Sequence, residues 1–227
     1  NGPIEVVGRV GVRAGMDSNS LKFYIIADEE MLNRSDHESL EVFISSLLQG
    51  GATTIQLRCK HASAREQEDL LGRIRFRFAS STTLFIVNDR MDVALTAGAH
   101  GVHLGSDDLS LTAARRIAPS GFLIGSSVDT PEEARQAESE GADYLGAGPV
   151  YPTQTKKTTN PAMGTKGLEE IVQAVSIPVV GIGGIGPENI SEVLGVGAAG
   201  AAVVSSVVSS VNPEVAVRLL REAVEVN

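Results

Sequence analysis

Short apolar runs alternate with longer amphipathic segments along the chain from Lys22 onward. The runs are five or six residues long, which is typical of buried strands, and the segments between them repeat apolar residues every three or four positions, which indicates helices. Thr130-Pro131-Glu132-Glu133 opens one helix with an N-cap Thr, a first-turn Pro and a Glu that completes a capping box. The predicted strands cover 23–28, 54–58, 84–88, 101–105, 122–127, 143–148, 178–182 and 201–205. The other predicted helices cover 38–48, 64–78, 91–97, 111–117, 168–175, 187–194 and 213–224.

Eight strand–helix units predict a closed parallel barrel. The alternation of strands and helices implies parallel strands joined by right-handed crossovers. An open doubly wound sheet is the alternative, but it usually has fewer units and a glycine fingerprint after its first strand. Here that strand ends in Ala27-Asp28-Glu29, without such a loop. We therefore expect a single-domain α/β protein with the (β/α)8 TIM barrel fold over residues 21–227. Residues 1–20 show little periodicity, and we expect a leader, a tag remnant or a linker there.

Composition and charge narrow the class of protein. Apolar residues make up 42% of the chain but aromatic residues only 4%, so small aliphatic side chains must fill the interior, as in a parallel sheet covered on both faces. The net charge of −9 argues against a nucleic-acid partner. No apolar run is long enough to span a membrane, and the single Cys59 cannot form an internal disulfide. We therefore expect a cytoplasmic protein that acts on small molecules.

Polar residues are concentrated at one end of the predicted strands. Barrel active sites form at the carboxyl ends of the strands, and these residues lie at those ends. Contact with solvent would explain one or two of them, but not charged or amide groups on five consecutive units. They are Gln56, Arg58, Lys60, Asn88, Asp89, Arg90, Asp107, Asp108, Ser126, Ser127, Thr153, Gln154, Thr155, Lys156, Lys157, Gly183, Gly184, Ser205 and Ser206.

The charged members of this set predict an anion site with a metal. Arg58, Lys60 and Lys156 are cations at one mouth of an acidic protein, which suits phosphate. Each charge-assisted hydrogen bond to phosphate is worth about 1.5–3 kcal/mol. Asp89 and Asp108 come from adjacent units, and two carboxylates beside phosphate suggest Mg2+. The alternative is that these acids only form ion pairs with Arg58 or Lys60.

A second anion site is predicted after strands seven and eight. Gly181-Ile182-Gly183-Gly184-Ile185 exposes backbone N–H groups, and Val204-Ser205-Ser206 ends the next strand. Barrels often bind phosphate at these two loops. The alternative is that the glycines only allow tight helix packing. Two phosphate sites would suit two phosphorylated substrates, or one substrate phosphorylated at both ends.

Five motifs lie on or directly after the predicted strands. They are Gln56-Leu57-Arg58-Cys59-Lys60, Asn88-Asp89-Arg90, Gly101-Val102-His103-Leu104-Gly105, the run from Gly146 to Lys156, and Gly181-Ile182-Gly183-Gly184-Ile185. Each motif alone is modest evidence, but the five together in this order are specific. From Lys22 to Val224 the chain resembles the thiamine phosphate synthase family. The resemblance implies a transferase of thiamine biosynthesis that joins hydroxymethylpyrimidine diphosphate to a thiazole phosphate, with Mg2+ as cofactor.

The resemblance also implies roles for individual residues. It implies that Asp89 and Asp108 hold the metal, and that Arg58, Lys60, Ser127 and Lys156 are catalytic. The residues implied to bind the pyrimidine diphosphate are Gln56, Arg58, Lys60, Asn88, Ser127 and Lys156, and Leu57 and Cys59 are expected as further substrate-binding residues. Those implied to lie near the thiazole phosphate are Thr153, Gln154, Thr155, Gly184, Val204 and Ser205.

Some points stay open at this stage. The family often has a Gly-Gln-x-Asp pattern where this chain has Gly105-Ser106-Asp107-Asp108, and we choose Asp108 over Asp107 as the metal ligand from its spacing to Asp89. His103 is interpreted as structural, and alternation turns the Cys59 side chain away from Arg58. The competing functions are a thiazole tautomerase-like paralogue and a non-catalytic barrel that binds thiamine precursors. A homo-oligomer, or fusion to another thiamine-biosynthesis domain, is compatible with the pattern.

Overall fold

Eight parallel strands hydrogen-bond in sequence order, and the first pairs with the last, in the computed structural model of the chain. The predicted (β/α)8 barrel is thus confirmed. The strands are β1 Phe23–Asp28, β2 Thr54–Arg58, β3 Leu84–Asn88, β4 Gly101–Leu104, β5 Leu123–Val128, β6 Tyr144–Ala147, β7 Val179–Ile182 and β8 Gly200–Val203. The structure describes residues 19–33, 35, 39–153 and 161–225.

Helices cover the outside of this barrel. No helix among the described residues is both long and apolar enough to cross a membrane. The short helices α1 and α9 were not predicted, because one helical turn is too short to show a period. The helices are α1 Glu29–Leu32, α2 Leu40–Gly50, α3 Ala64–Arg77, α4 Met91–Thr96, α5 Leu111–Ile117, α6 Pro131–Ser139, α7 Gly164–Ala174, α8 Ile190–Gly195, α9 Ser205–Val208 and α10 Pro213–Glu225.

The starts of α2, α7 and α8 differ from the prediction by two to four residues, and the cap of α6 differs in one hydrogen bond. The helix α7 begins at Gly164, four residues before the predicted start at 168. At α6, Thr130 accepts from the Glu133 N–H as predicted (3.2 Å), but the Glu133 carboxylate accepts from the N–H of Asp129 (2.7 Å). The predicted capping box is therefore wrong in its second half, because the N–H one residue earlier takes the carboxylate.

Alternation along each strand divides the side chains between two layers. Outward residues such as Ile25, Phe85 and Ile124 are fully buried against the helices in the main core. Inward residues fill the barrel, where Tyr24 and Tyr144 belong to a separate apolar cluster. The carboxyl ends of the strands carry inward polar groups instead. Apolar side chains therefore fill the interior of the barrel, and polar groups line its carboxyl-terminal end.

Candidate active site

Two adjoining cavities open at the carboxyl ends of the strands. We call the one bordered by Asp89 and Asp108 the carboxylate cavity, and the one bordered by Gly183 and Gly184 the glycine cavity. The two cavities share part of their lining, which we call the common wall, so a ligand in one would lie against a ligand in the other. The residues that border both are Ile26, Arg58, Ser127, Gly146, Ile182 and Ala202.

Most of the predicted site residues meet at these cavities. Of the predicted set, the carboxylate cavity is bordered by Gln56, Arg58, Lys60, Asn88, Asp89, Asp108 and Ser127. The glycine cavity is bordered by Arg58, Ser127, Thr153, Gly184, Val204 and Ser205. The predicted contacts at Gln154, Thr155 and Lys156 lie outside the described residues.

Two of the predicted substrate-binding residues are not brought to either cavity. The side chains of Leu57 and Cys59 are only 5% and 7% exposed, and neither borders a cavity. Strand alternation turns them away from the barrel axis, since Gln56 and Arg58 point inward. Burial raises the pKa of the Cys59 thiol to about 12, so the thiol stays protonated near neutral pH. The structure gives these two side chains a packing role.

Arg58 is held in place by a buried carboxylate. Asp28 is 3% exposed, and its side chain accepts from Arg58 Nη1 and from the Met31 N–H (3.0 Å). The aspartate therefore caps α1 and orients the guanidinium at once. Arg58 thus forms its ion pair with Asp28 rather than with Asp89 or Asp108.

Asp89 stands at a tight turn directly after β3. Its φ of 64° lies in the left-handed region, where non-glycine residues are uncommon. The Arg90 N–H donates to the Asn88 carbonyl across the turn (2.7 Å), and the Asp89 N–H donates to the His103 carbonyl (2.9 Å). Such strained conformations cluster at functional sites. Here the turn aims the Asp89 carboxylate at the loop that follows β4.

The carboxyl groups of Asp89 and Asp108 lie next to each other at the mouth of the barrel. Burial raises the pKa of Asp89, and the neighbouring Asp108 carboxyl raises it further. The cations of Lys60 and Arg58 act in the opposite direction, with Lys60 Nζ 3.7 Å from Asp89 Oδ2. Asp108 is fixed by the Gly105 N–H (2.7 Å). The ion-pair alternative thus holds in part, for Lys60 and Asp89, but the charge of Lys60 alone does not balance two carboxylates.

This oxygen donor set fits Mg2+. Two adjacent carboxylates are the usual protein contribution to a magnesium site, which water and phosphate oxygens complete. No group of three or more acidic, histidine or cysteine side chains within the described residues forms a fuller metal cage. The geometry also favours Asp108 over Asp107, since Asp108 is the acid that acts on Asp89.

The glycine cavity requires its glycines. Gly183 and Gly184 have φ values of 98° and 65°, which L residues rarely adopt. A Cβ on Gly184 would lie 2.7 Å from Tyr151 Cβ, and the Tyr151 N–H donates to the Gly183 carbonyl (3.0 Å). The glycines therefore allow tight packing and also border the cavity. The packing role and an anion-binding role of this motif are thus compatible.

Sequence reasoning missed several residues that border the cavities, four of which matter for the chemistry of the site. They are Asp28 at the glycine cavity and Tyr24, His103 and Tyr144 at the carboxylate cavity. Asp28 ends β1 just as Arg58 ends β2, so its position was a usable signal. The tyrosines gave none, because a tyrosine in an apolar run is indistinguishable from a core residue.

Comparison with known proteins agrees with this geometry. The family model for thiamine monophosphate synthase matches residues 23–207. The chain belongs to the thiamine monophosphate synthase family. A thiamine-phosphate synthase of Pyrococcus horikoshii is 48% identical over 90% of this chain and 95% of its own length. One of Haloquadratum walsbyi is 42% identical over 92% and 93%.

The fold comparison extends this result. A thiamine phosphate pyrophosphorylase structure from Pyrococcus furiosus superposes with a TM-score of 0.82 at 42% identity, covering 92% of this chain and 97% of that one. A 3-hexulose-6-phosphate synthase superposes with a TM-score of 0.68 at 16% identity, which shows the shared fold alone. As a member of the thiamine monophosphate synthase family, the protein is a transferase of thiamine biosynthesis that acts on small molecules.

Proposed function

We propose that the protein joins hydroxymethylpyrimidine diphosphate to a thiazole phosphate, forming thiamine phosphate and releasing pyrophosphate, with Mg2+ as cofactor. The observation that carries this proposal is the pair of cavities with a common wall. One holds cations and paired carboxylates, and the other is bordered by glycines at positive φ. Two phosphorylated substrates that must react with each other need such adjoining sites.

In this proposal the carboxylate cavity binds the diphosphate. Arg58 and Lys60 would neutralise its oxygens, and Ser127, which lies on the common wall, would face the bond that breaks. Asp89 and Asp108 would hold Mg2+, which when bound supplies positive charge to the departing pyrophosphate. Gln56 and Asn88 offer amide groups to the pyrimidine ring. Lys156, outside the described residues, is proposed as a further cation from its charge and position in the sequence and from the resemblance.

The glycine cavity would hold the thiazole phosphate. Thr153, Gly184, Val204 and Ser205 border it, and the side-chain and backbone donors there suit a phosphate. Gln154 and Thr155, which the structure does not describe, are proposed as neighbours on the resemblance alone. With the phosphate anchored, the thiazole nitrogen can face the pyrimidine directly, beside the common wall, which lowers the entropy cost of the reaction.

The chemistry proposed is a dissociative substitution. The bond between the pyrimidine methylene carbon and the diphosphate oxygen breaks first, and its electron pair leaves with pyrophosphate. The thiazole nitrogen then donates its lone pair to the pyrimidine cation and forms the new carbon–nitrogen bond. The protein stabilises the leaving charge and orients the ring, so it needs no side-chain nucleophile.

The carboxylate cavity distinguishes this function from the competing ones. A thiazole tautomerase, or a barrel that only binds the thiazole phosphate, would need only the glycine cavity. Neither needs the carboxyl pair of Asp89 and Asp108 or the cation of Lys60 beside it. The names of the relatives support the synthase as well.

Purified protein should make thiamine phosphate and release pyrophosphate when it receives both substrates with Mg2+. Product formation is followed by fluorescence after oxidation to thiochrome phosphate, and pyrophosphate by a coupled assay. Omission of either substrate, or chelation of the metal, should abolish both signals. Absence of product with excess metal and both orders of addition would contradict the proposal.

A matched pair of lysine variants assigns the activity to this site. Lys60→Met removes a cation from the carboxylate cavity and should lower kcat/KM by about tenfold or more. Lys22→Met removes a cation just before β1, at the opposite end of the barrel, and should leave the rate unchanged. Equal effects of the two substitutions would show that the activity comes from elsewhere.

A further inference from the structure

A chain of hydrogen bonds crosses the barrel from one proposed substrate group to another. Gln56 Nε2 donates to the Tyr24 hydroxyl (2.8 Å), which contacts the Tyr144 hydroxyl (2.9 Å). The Tyr144 hydroxyl contacts His103 Nδ1 (3.2 Å), and His103 Nε2 contacts Ser127 Oγ (3.0 Å). We call these five residues the relay. It begins in the buried interior, where Tyr24 and Gln56 are each 2% exposed, and ends at the exposed Ser127.

The barrel is shaped around the relay. A Cβ on Gly125 would lie 2.2 Å from Tyr144 Cζ and 2.5 Å from His103 Nδ1. A Cβ on Gly146 would lie 3.0 Å from His103 Cε1. Two strands therefore lack side chains at the places where the relay passes. No buried side-chain nitrogen or oxygen among the described residues lacks a hydrogen-bond partner, so the interior tolerates this polar chain.

The amide at one end sets the direction of every bond. Gln56 Nε2 can only donate, so the Tyr24 oxygen accepts there and its single proton is given to Tyr144. The Tyr144 hydroxyl in turn donates its hydrogen bond to His103 Nδ1. A neutral imidazole that accepts at Nδ1 carries its proton on Nε2, so His103 donates to Ser127. The Ser127 oxygen then accepts from the imidazole, and its own proton is directed away from His103.

Both tyrosines keep their protons near neutral pH. Burial is the main cause that raises the pKa of the Tyr24 hydroxyl, and burial likewise raises the pKa of Tyr144 well above its ordinary value. Each tyrosine hydroxyl in the relay therefore has one proton to donate, and the donor and acceptor roles along the relay do not depend on an ionised tyrosine.

We propose, on the basis of the proposed function, that His103 is a positioning residue that holds Ser127 as a hydrogen-bond donor to the departing diphosphate. Because the Ser127 oxygen accepts from His103, the Ser127 proton points into the cavity, where it can donate to a diphosphate oxygen. Through the relay, the amide of Gln56 at the pyrimidine site and the hydroxyl of Ser127 at the diphosphate are oriented together.

The same geometry excludes the other role that a serine–histidine contact suggests. In a nucleophilic pair the histidine accepts the serine proton, and a carboxylate receives the proton on the far ring nitrogen. Here the far nitrogen, Nδ1, contacts a neutral tyrosine hydroxyl (3.2 Å), and with the bond directions that the Gln56 amide imposes, this hydroxyl donates to it. His103 is thereby a donor toward Ser127 and not its base.

The tautomer of His103 tests the direction of the relay without substrate. The chain has four histidines, so nitrogen-15 labelling of histidine gives few ring signals, and His103→Gln identifies the one that disappears. We expect a proton on Nε2 and none on Nδ1. A proton on Nδ1, as the opposite orientation of the Gln56 amide would produce, or an imidazolium at neutral pH would overturn the proposal.

Turnover of two conservative variants tests the consequence. His103→Gln can place an amide donor near the Nε2 position and should keep most of kcat. His103→Asn keeps only a group near Nδ1, and should lower kcat about tenfold with KM changed less than twofold. In a Ser127→Ala background, His103→Asn should have no further effect, because both act through one hydroxyl.

These outcomes separate the relay from the proposed function. Equal losses in His103→Gln and His103→Asn, or additive losses with Ser127→Ala, would reduce His103 to a packing role and overturn the proposal. The tautomer is measured without turnover, so inactivity toward the two substrates with the expected tautomer would count against the proposed function alone. An active enzyme with the wrong tautomer would count against the relay alone.

Discussion

At the scale of single residues, the chemistry of this site depends on which charges are already paired. Arg58 is oriented by the buried Asp28, whereas Asp89 meets a second carboxyl group, Asp108, and, among the described residues, one lysine, Lys60, at 3.7 Å. Repulsion between two carboxylates raises the pKa of one of them and favours a bound cation. The cation that relieves this repulsion most directly is a divalent metal.

Replacing Asp89 with Asn should raise the metal requirement. The neutral amide is a weaker ligand for Mg2+ than a carboxylate, so the concentration of free Mg2+ for half-maximal rate should rise about tenfold or more, with activity partly restored by excess metal. Initial rates over a Mg2+ titration give this value. Asp92→Asn is the matched control, because Asp92 is exposed and pairs with Arg90. An unchanged requirement in Asp89→Asn would remove Asp89 from the metal site.

At the scale of elements, the turns after the strands determine what the cavities can bind. The turn after β7 places two glycines at positive φ against the start of the long loop that follows β6. The segment Tyr151–Pro152 leaves no room for a side chain on Gly184, since the Pro152 carbonyl lies 2.8 Å from the place of its Cβ. The shape of the glycine cavity is therefore set by backbone conformation.

Gly184→Ala should weaken thiazole phosphate binding selectively. The methyl group must displace the backbone of the neighbouring loop, and strain of this kind costs about 1–3 kcal/mol. We expect KM for the thiazole phosphate to rise about tenfold and KM for the pyrimidine diphosphate to stay within twofold. Gly195→Ala is the control, because nothing lies within 4 Å of its added Cβ. Equal changes in both KM values would mean that the turn supports the whole mouth.

At the scale of the whole molecule, the closed barrel depends on contacts between strands at its amino-terminal end. The Phe85 N–H donates to His100 Nδ1 (2.9 Å), which ties β3 to the segment before β4. Burial lowers the pKa of His100 to about 4, and the charge of Arg75 acts in the same direction. The folded barrel thus holds this imidazole neutral at a pH where the unfolded chain would protonate it.

The free energy of unfolding should therefore fall as the pH falls from about 6.5 to about 4. In that window the unfolded state binds a proton at His100 and the folded state does not, so acid favours unfolding. Allowing for partial exposure, the loss is on the order of 1–3 kcal/mol. His100→Asn keeps an acceptor near Nδ1 and should show a flatter pH dependence in urea denaturation. Parallel pH profiles for both proteins would show that His100 is not the group responsible.

Much of this molecule was predictable from local patterns. Strand and helix periods are short-range properties, so the eight units, their order and the inward position of Gln56 and Arg58 followed from alternation alone. The capping of α6 was half predicted, because the choice of Glu133 between two neighbouring N–H groups depends on the path of the chain before the helix. The side chains of Leu57 and Cys59 could have been set aside by the same alternation that placed their neighbours.

The sequence by itself determined the barrel, the end of the barrel where chemistry occurs and the types of charge available there. These depend on residue order along one strand and the turn that follows it. Only the tertiary structure decided which groups are paired. Arg58 meets Asp28 across 30 positions, and His103 meets Ser127 across 24. Such contacts are set by strand register and barrel closure, which join residues that no local pattern relates. The common wall between the two cavities arises in the same way.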